Sequence, residues 1–147
     1  MKKKVVINIS DKQSPDVGEP ETLEMNIFGT LSFSQDAYTL EYTELDGELA
    51  GCTTSLCVDD PGRVIMRRSG SYNSELTIER NKRHNCHYDT PYGGFLMGIF
   101  GKAVHSSMTP RGGTLKMRYT VDFNSELAAE NEMTITVKEY KNNVDIG

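Results

Sequence analysis

The densest group of side chains able to hold a metal or move a proton is His84-Asn85-Cys86-His87. Imidazole and thiolate are ordinary zinc ligands, and a structural zinc takes four of them in a tetrahedron. Side chains alternate along a strand, so His84 and Cys86 share one side and His87 takes the other. Two ligands at most converge from this segment. Cys52 and Cys57 stand an odd step apart and face opposite sides of a regular strand. A third and fourth ligand would have to come from elsewhere in the fold, and neither a metal nor another cofactor is expected. For nucleophilic catalysis, no serine occupies a G-x-S-x-G elbow and no cysteine a recognisable nucleophile context. His105 lies on the parity of Phe95, Met97 and Ile99, which points it into the interior. A single inward histidine with no nameable partner reads first as a hydrogen-bonded core residue and only second as a general base. Glu24, Glu41 and most other acids before residue 60 take the polar parity of their strands, so they read as solvated and not as a glycosidase pair. No catalytic residue is assigned, and whether the chain is an enzyme stays open.

Arg63, Arg67, Arg68, Arg80, Lys82 and Arg83 form a basic stretch with Tyr72, Tyr88 and Tyr92 close in sequence. Charge and stacking together are how small barrels hold single-stranded nucleic acid. Two facts weigh against that partner: the 147-residue chain carries a net charge of -5, and no aromatic alternates with the basic residues on one strand. The charge is segregated along the chain. Residues 11–60 hold twelve acids and one base, residues 61–120 ten bases and three acids, and residues 121–147 six acids and two bases. With strands taken in order around a barrel, one side is basic and the other acidic: two solvated faces, or a surface for an anionic partner.

The elements that must position these residues are strands. Apolar residues recur with period two: Leu23, Met25, Ile27, Leu31 and Phe33; Tyr38, Leu40 and Tyr42; Leu115, Met117, Tyr119, Val121 and Phe123; Met133, Ile135 and Val137. The alternate positions are polar, including Lys116, Arg118, Asp122 and Asn124. Less regular strands are expected at Val5 to Ser10, Ala50 to Val58, Arg63 to Arg68, Ser74 to Arg80, His84 to Thr90 and Gly94 to Ser106. Asp46-Gly47, Asp60-Pro61-Gly62, Pro91-Tyr92-Gly93 and Pro110-Arg111-Gly112 supply the turns. Gly29, Gly98 and Gly101 fall inside strands, where glycine marks a bulge, a bend or a close backbone approach. Residues 11–21 read as a loop, and Ser125 to Glu132 could make one or two helical turns. The expectation is a single all-β domain over 1–147, an antiparallel meander closed into a lipocalin-like or calycin-like barrel of about eight to ten strands, with a sandwich as the other arrangement. The basic start at Met1 to Lys4 is followed by no apolar run of signal or membrane-spanning length, and the three cysteines are odd in number, so reduced thiols in the cytoplasm are expected.

Two barrel families can be tested by pattern. Lipocalins proper carry a Trp near the first strand, and this chain has none. Fatty-acid-binding proteins place an inward Arg-x-Tyr near the end; here Arg118 and Tyr119 are adjacent and face opposite sides. Val64-Ile65-Met66-Arg67-Arg68-Ser69-Gly70, and His87-Tyr88-Asp89-Thr90-Pro91-Tyr92-Gly93 followed by Met97-Gly98-Ile99, resemble a third group, the bacterial family named domain of unknown function 1934 (DUF1934). Overall order and length are also similar. The resemblance implies a calycin-like barrel and brings no activity, substrate or catalytic residue.

Within that pattern Gly70, Pro91 and Gly93 suit turns and Tyr88 takes a core parity. Backbone demands do not explain Arg68, His87 and Tyr92. Together with Tyr88 and His105 they are the candidate binding residues. The leading expectation is a noncatalytic barrel that binds a small molecule, with an anion as one candidate, in its mouth or interior. The alternatives are an interaction module that docks a protein or nucleic acid through its segregated charge, with a homodimer as one form, and a hydrolase or isomerase using His105 or His87.

Overall fold

The computed structural model describes residues 2–123 and 126–140. Ten strands follow one another: β1 (Lys2–Pro15), β2 (Glu21–Ser34), β3 (Ala37–Thr43), β4 (Thr53–Asp60), β5 (Arg63–Ser69), β6 (Asn73–Glu79), β7 (Arg83–Thr90), β8 (Gly93–Ser106), β9 (Gly112–Phe123) and β10 (Glu126–Glu139). Each pairs antiparallel with the next, and β1 pairs with β10 from Val5↔Glu139 to Pro15↔Ala129, closing the sheet into a barrel. Closure leaves no unpaired edge and excludes the sandwich.

Period-two patterning explains the interior. Val5 and Ile7 of β1, Leu40 of β3, Leu56 of β4, Val64 of β5, Ile78 of β6, Ile99 of β8, Leu115 of β9 and Ile135 of β10 are all fully buried. Each such side chain contributes roughly 1.5–3 kcal/mol.

Three expectations are corrected. Residues 11–15 are not a loop: they continue β1 against both neighbours, and the connection is residues 16–20. Glu126 to Glu132 is strand, not helix, because the lengthened β1 offers a ladder to Asn131, Glu130 and Ala129 that outweighs the weak helical propensity of Ala128 and Ala129. A register shift between Leu127 and Ala129 breaks the alternation that would have revealed it. Asn124 and Ser125 lie outside the described residues. The third correction is His105. A bulge between Gly101 and Ala103 moves β8 by one position, so Val104 and Ser106 turn inward and His105 turns out to solvent.

The strand glycines mark close approaches. A Cβ on Gly101 would strike the Glu79 carbonyl, where the β6–β7 turn is held by Asn81 N–H to Gly101 O at 2.8 Å and Gly101 N–H to Lys82 O at 3.2 Å. A Cβ on Gly98 would strike the Arg83 guanidinium, which passes over β8 to make two bonds with Asp122 of β9, at 2.6 and 3.0 Å.

In this meander successive connections alternate between the two barrel ends. Residues 16–20, 44–52, 70–72 and 91–92 form one end, with Asp16, Glu19, Glu44, Asp46 and Glu48 and no Lys or Arg. Residues 35–36, 61–62, 80–82 and 107–111 form the other, where Arg80, Lys82 and Arg111 outnumber Asp36 and join Lys2, Lys3 and Lys4 at the start of β1. The charge therefore divides along the barrel axis as well as around it.

Candidate functional site at the acidic end of the barrel

One row of cross-strand neighbours runs Tyr42↔Thr54↔Arg68↔Ser74↔Tyr88↔Phe95, from β3 to β8. All six take the inward parity of their strands, so a polar band lines the inner wall above the apolar core. Arg68 shares the parity of Val64 and Met66, and its guanidinium enters the barrel. Arg68 Nε–H donates to Thr54 Oγ1 at 3.2 Å, and the Tyr42 hydroxyl lies beside both residues. Thr54 is fully buried. Among the described residues no carboxylate stands within ion-pair distance of Arg68. Glu44, half-buried at the head of the β3–β4 connection, senses the Arg68 charge without pairing with it; burial nevertheless raises its carboxyl above the ordinary value.

The facing wall is also polar. Asn131 Nδ2 donates to the Tyr119 hydroxyl at 3.4 Å, and burial drives the Tyr119 phenol far above its usual range, with Asp11 adding to the rise and Arg68 opposing it. Asp11 Oδ1 is buried with no hydrogen-bond partner among the described residues. Burial raises the Asp11 carboxyl, partly offset by a 3.5 Å bond from Gln13 Nε2.

Toward the rim the lining becomes apolar. Tyr88, Gly94, Phe95, Leu96, Met97 and Phe123 surround a hollow of about 770 Å³. The Tyr88 ring meets Tyr72 edge-on at 6.3 Å, and the Tyr72 hydroxyl donates to Glu48 Oε1 at 2.6 Å, tying the β5–β6 turn to the β3–β4 connection. That bond pushes the Tyr72 phenol up to about 12. The buried Cys52 thiol lies in the same corner, lowered by the Tyr72 backbone N–H, by Ser71 and by Arg68.

Of the candidates read from sequence, Arg68 and Tyr88 come together on this wall. Tyr92 sits on the β7–β8 turn of the same end, 85% exposed. His87 faces outward in an external groove of about 440 Å³ whose lining also includes Arg67, Arg68, Glu75 and Asp89; its Nε2 lies 3.9 Å from Asp89 Oδ1. His105 faces outward beyond the bulge. In the His84-Asn85-Cys86-His87 segment, His84 Nε2 bonds Glu79 Oε1 at 2.8 Å, and the Cys86 sulfur accepts the Thr77 N–H at 3.5 Å. Among the described residues no three His, Cys, Asp or Glu converge as metal ligands. Tyr42, Thr54, Tyr119, Asn131 and Asp11 were not singled out by motif. Their signal was parity: Thr54 shares that of Leu56 and Val58, and Asp11 that of Ile7 and Ile9, so each is a polar residue on a buried face.

Comparison with known proteins agrees with the architecture. A family model described as a domain of unknown function, DUF1934, matches residues 7–135. The crystal structure of the YwiB protein from Bacillus subtilis superposes with a TM-score of 0.85, covering 95% of this chain and 94% of that one at 19% identity. No curated protein sequence matches.

Proposed function

The chain belongs to the DUF1934 family, and for this calycin-like barrel we propose a noncatalytic role: holding a small anionic, partly apolar molecule in the acidic-ended mouth. One observation carries the reading: Arg68 projects into the barrel and has no carboxylate counterpart at contact distance among the described residues. A guanidinium drawn out of water without an anion is unfavourable, and its attraction for an incoming carboxylate or phosphate grows as the local dielectric falls. The planar fork offers paired donors to such a group. Thr54 and Tyr42 fix its direction, while Tyr88, Phe95, Met97 and Phe123 offer apolar surface to the rest of the ligand. The hollow lies in the size range of small-molecule sites.

Two alternatives are less well supported. A histidine-based hydrolase or isomerase would need His87 or His105 in the mouth, and both face outward. Docking through a basic face is weakened by pairing: Arg63 with Asp59, Arg67 with Glu75, Arg83 with Asp122, and Lys102 and Arg118 with Glu130. The outer wall carries Lys116, Arg118, Thr136 and Lys138, the inverse of a lipid-facing barrel. Three free cysteines fit a reducing compartment, and we place the protein in the cytoplasm.

Native mass spectrometry of the protein from its own host, beside a denatured control, tests the reading. A reproducible added mass on the wild type that is lost on denaturation and absent from Arg68→Met is the expected result. A bare wild type, or the same adduct on Arg68→Met, overturns it.

A further inference from the structure

The rim of the acidic end carries a second feature, which touches the Arg68 wall only at Glu44. Of the large apolar side chains exposed on the described residues, all but Phe28 and Tyr140 lie at this end. Val17, Leu45 and Tyr92 stand on its connections, each more than four-fifths exposed, and Leu23, Leu96 and Leu127 stand on the adjoining strand ends. Phe28 and Tyr140 instead pack on each other at 5.4 Å beneath the Lys4 ammonium. Apolar residues gathered at one place on a surface mark a contact site, whereas scattered ones mark nothing.

The charges among them say what kind of contact. Asp16, Glu19, Glu44, Asp46 and Glu48 share these connections, and none has an ion pair within the described residues; Glu48 accepts only a phenol. Some acids elsewhere on the barrel have cationic partners, among them Asp59, Glu75, Asp122 and Glu139, and others such as Glu24, Glu41 and Glu132 have none among the described residues; the rim differs in that its connections carry no Lys or Arg beside the acids. We propose that this rim docks a cationic amphipathic segment of another protein, one whose Lys or Arg side chains meet the five carboxylates while its large apolar side chains cover the exposed residues between them. Opposite charge steers such a partner in, and apolar burial holds it. An anionic bilayer meets repulsion at this end. A second copy docked rim to rim would set five carboxylates against five. Docked end to tail it would meet bases, with the Phe28 and Tyr140 pair as the large exposed apolar surface outside the rim.

Fluorescence anisotropy with the full chain tests the proposal, using a labelled helical peptide of leucine and lysine as probe. A leucine and glutamate peptide, a serine and lysine peptide, and zwitterionic and anionic vesicles are run beside it. The leucine and lysine peptide should bind, the others should bind at least about tenfold more weakly, and the protein should sediment as a monomer at the same concentration. Two triple variants, Leu45→Ser with Tyr92→Ser and Leu127→Ser, and Asp16→Asn with Glu19→Gln and Asp46→Asn, should each weaken binding by about tenfold or more. All six positions are exposed, so folding is checked by an unchanged melting temperature. Arg68→Met should bind the peptide like the wild type, which separates this site from the ligand site in the mouth. Equal binding of the serine and lysine peptide or of the leucine and glutamate peptide would sink the proposal. So would unchanged binding by either triple variant, a preference for anionic vesicles, or self-association through this end.

Discussion

Replacing Arg68 with methionine separates a binding arginine from a structural one. The variant loses the bond from Arg68 Nε to Thr54 Oγ1 at 3.2 Å. Hydrogen bonds to charged groups contribute roughly 1.5–3 kcal/mol net. The Tyr42 hydroxyl stays beside the Thr54 hydroxyl in the variant and is the nearest polar group to replace the lost partner. Against that loss, the variant removes a half-buried guanidinium with no carboxylate beside it, and apolar replacement of buried charge is often neutral or favourable by about 1–4 kcal/mol. The methionine also keeps the apolar stem. The two effects nearly cancel, so urea denaturation should place Arg68→Met within about 1 kcal/mol of the wild type, a shift in melting temperature of about 2–4 °C at most for a chain of this size. The same protein should have lost its bound anion. Breaking a structural ion pair would instead cost about 3–5 kcal/mol. A loss of that size would refute the reasoning, since it would mean that Arg68 serves the fold and its lack of a partner has been misread.

Three further outcomes follow from the same coordinates. Leu56→Ala, at a fully buried position, should cost about 2–5 kcal/mol, whereas Phe95→Ala, already 48% exposed, should cost about 1 kcal/mol or less in denaturant; equal costs would show that the mouth is closed. Gly101→Ala drives a methyl group into the Glu79 backbone and should cost at least about 1–3 kcal/mol, while Gly98→Ala displaces only the Arg83 guanidinium and should cost about 0–1 kcal/mol, read from paired thermal melts. Burial raises the Asp11 carboxyl above its unfolded value, so its contribution to stability is complete below the unfolded value and is lost as pH rises through the folded one. Asp11→Asn should therefore melt higher than the wild type at neutral pH and no differently in acid; the opposite order would show that the orphaned oxygen has found a partner.

The alternation of Leu115 to Phe123 and of Tyr38 to Tyr42 determined strands, a buried face and, through their number and turn spacing, an antiparallel meander, because a period of two is local and needs no partner to be read. Arg68 was singled out through the family pattern and not by direction; its inward placement follows from sharing the parity of Val64 and Met66 on a strand paired with β6 without a register shift from Arg63 to Arg68. Parity failed at His105, where one extra residue between Gly101 and Ala103 reversed every later side chain, and at residues 126–132, where the pairing of β1 overrode local propensity. Bulges depend on how two strands meet, so one strand's composition does not announce them. Closure itself is likewise a tertiary matter: pairing of β1 with β10 joins Val5 to Glu139 across nearly the whole chain. Only closure brings Tyr119, Asn131 and Asp11 opposite Arg68, and only the alternation of turns between two ends gathers Val17, Leu45 and Tyr92 with five acids that have no ion pair among the described residues. Residues far apart in sequence acquire a common chemistry there because the barrel, and not the chain, sets the distances between them.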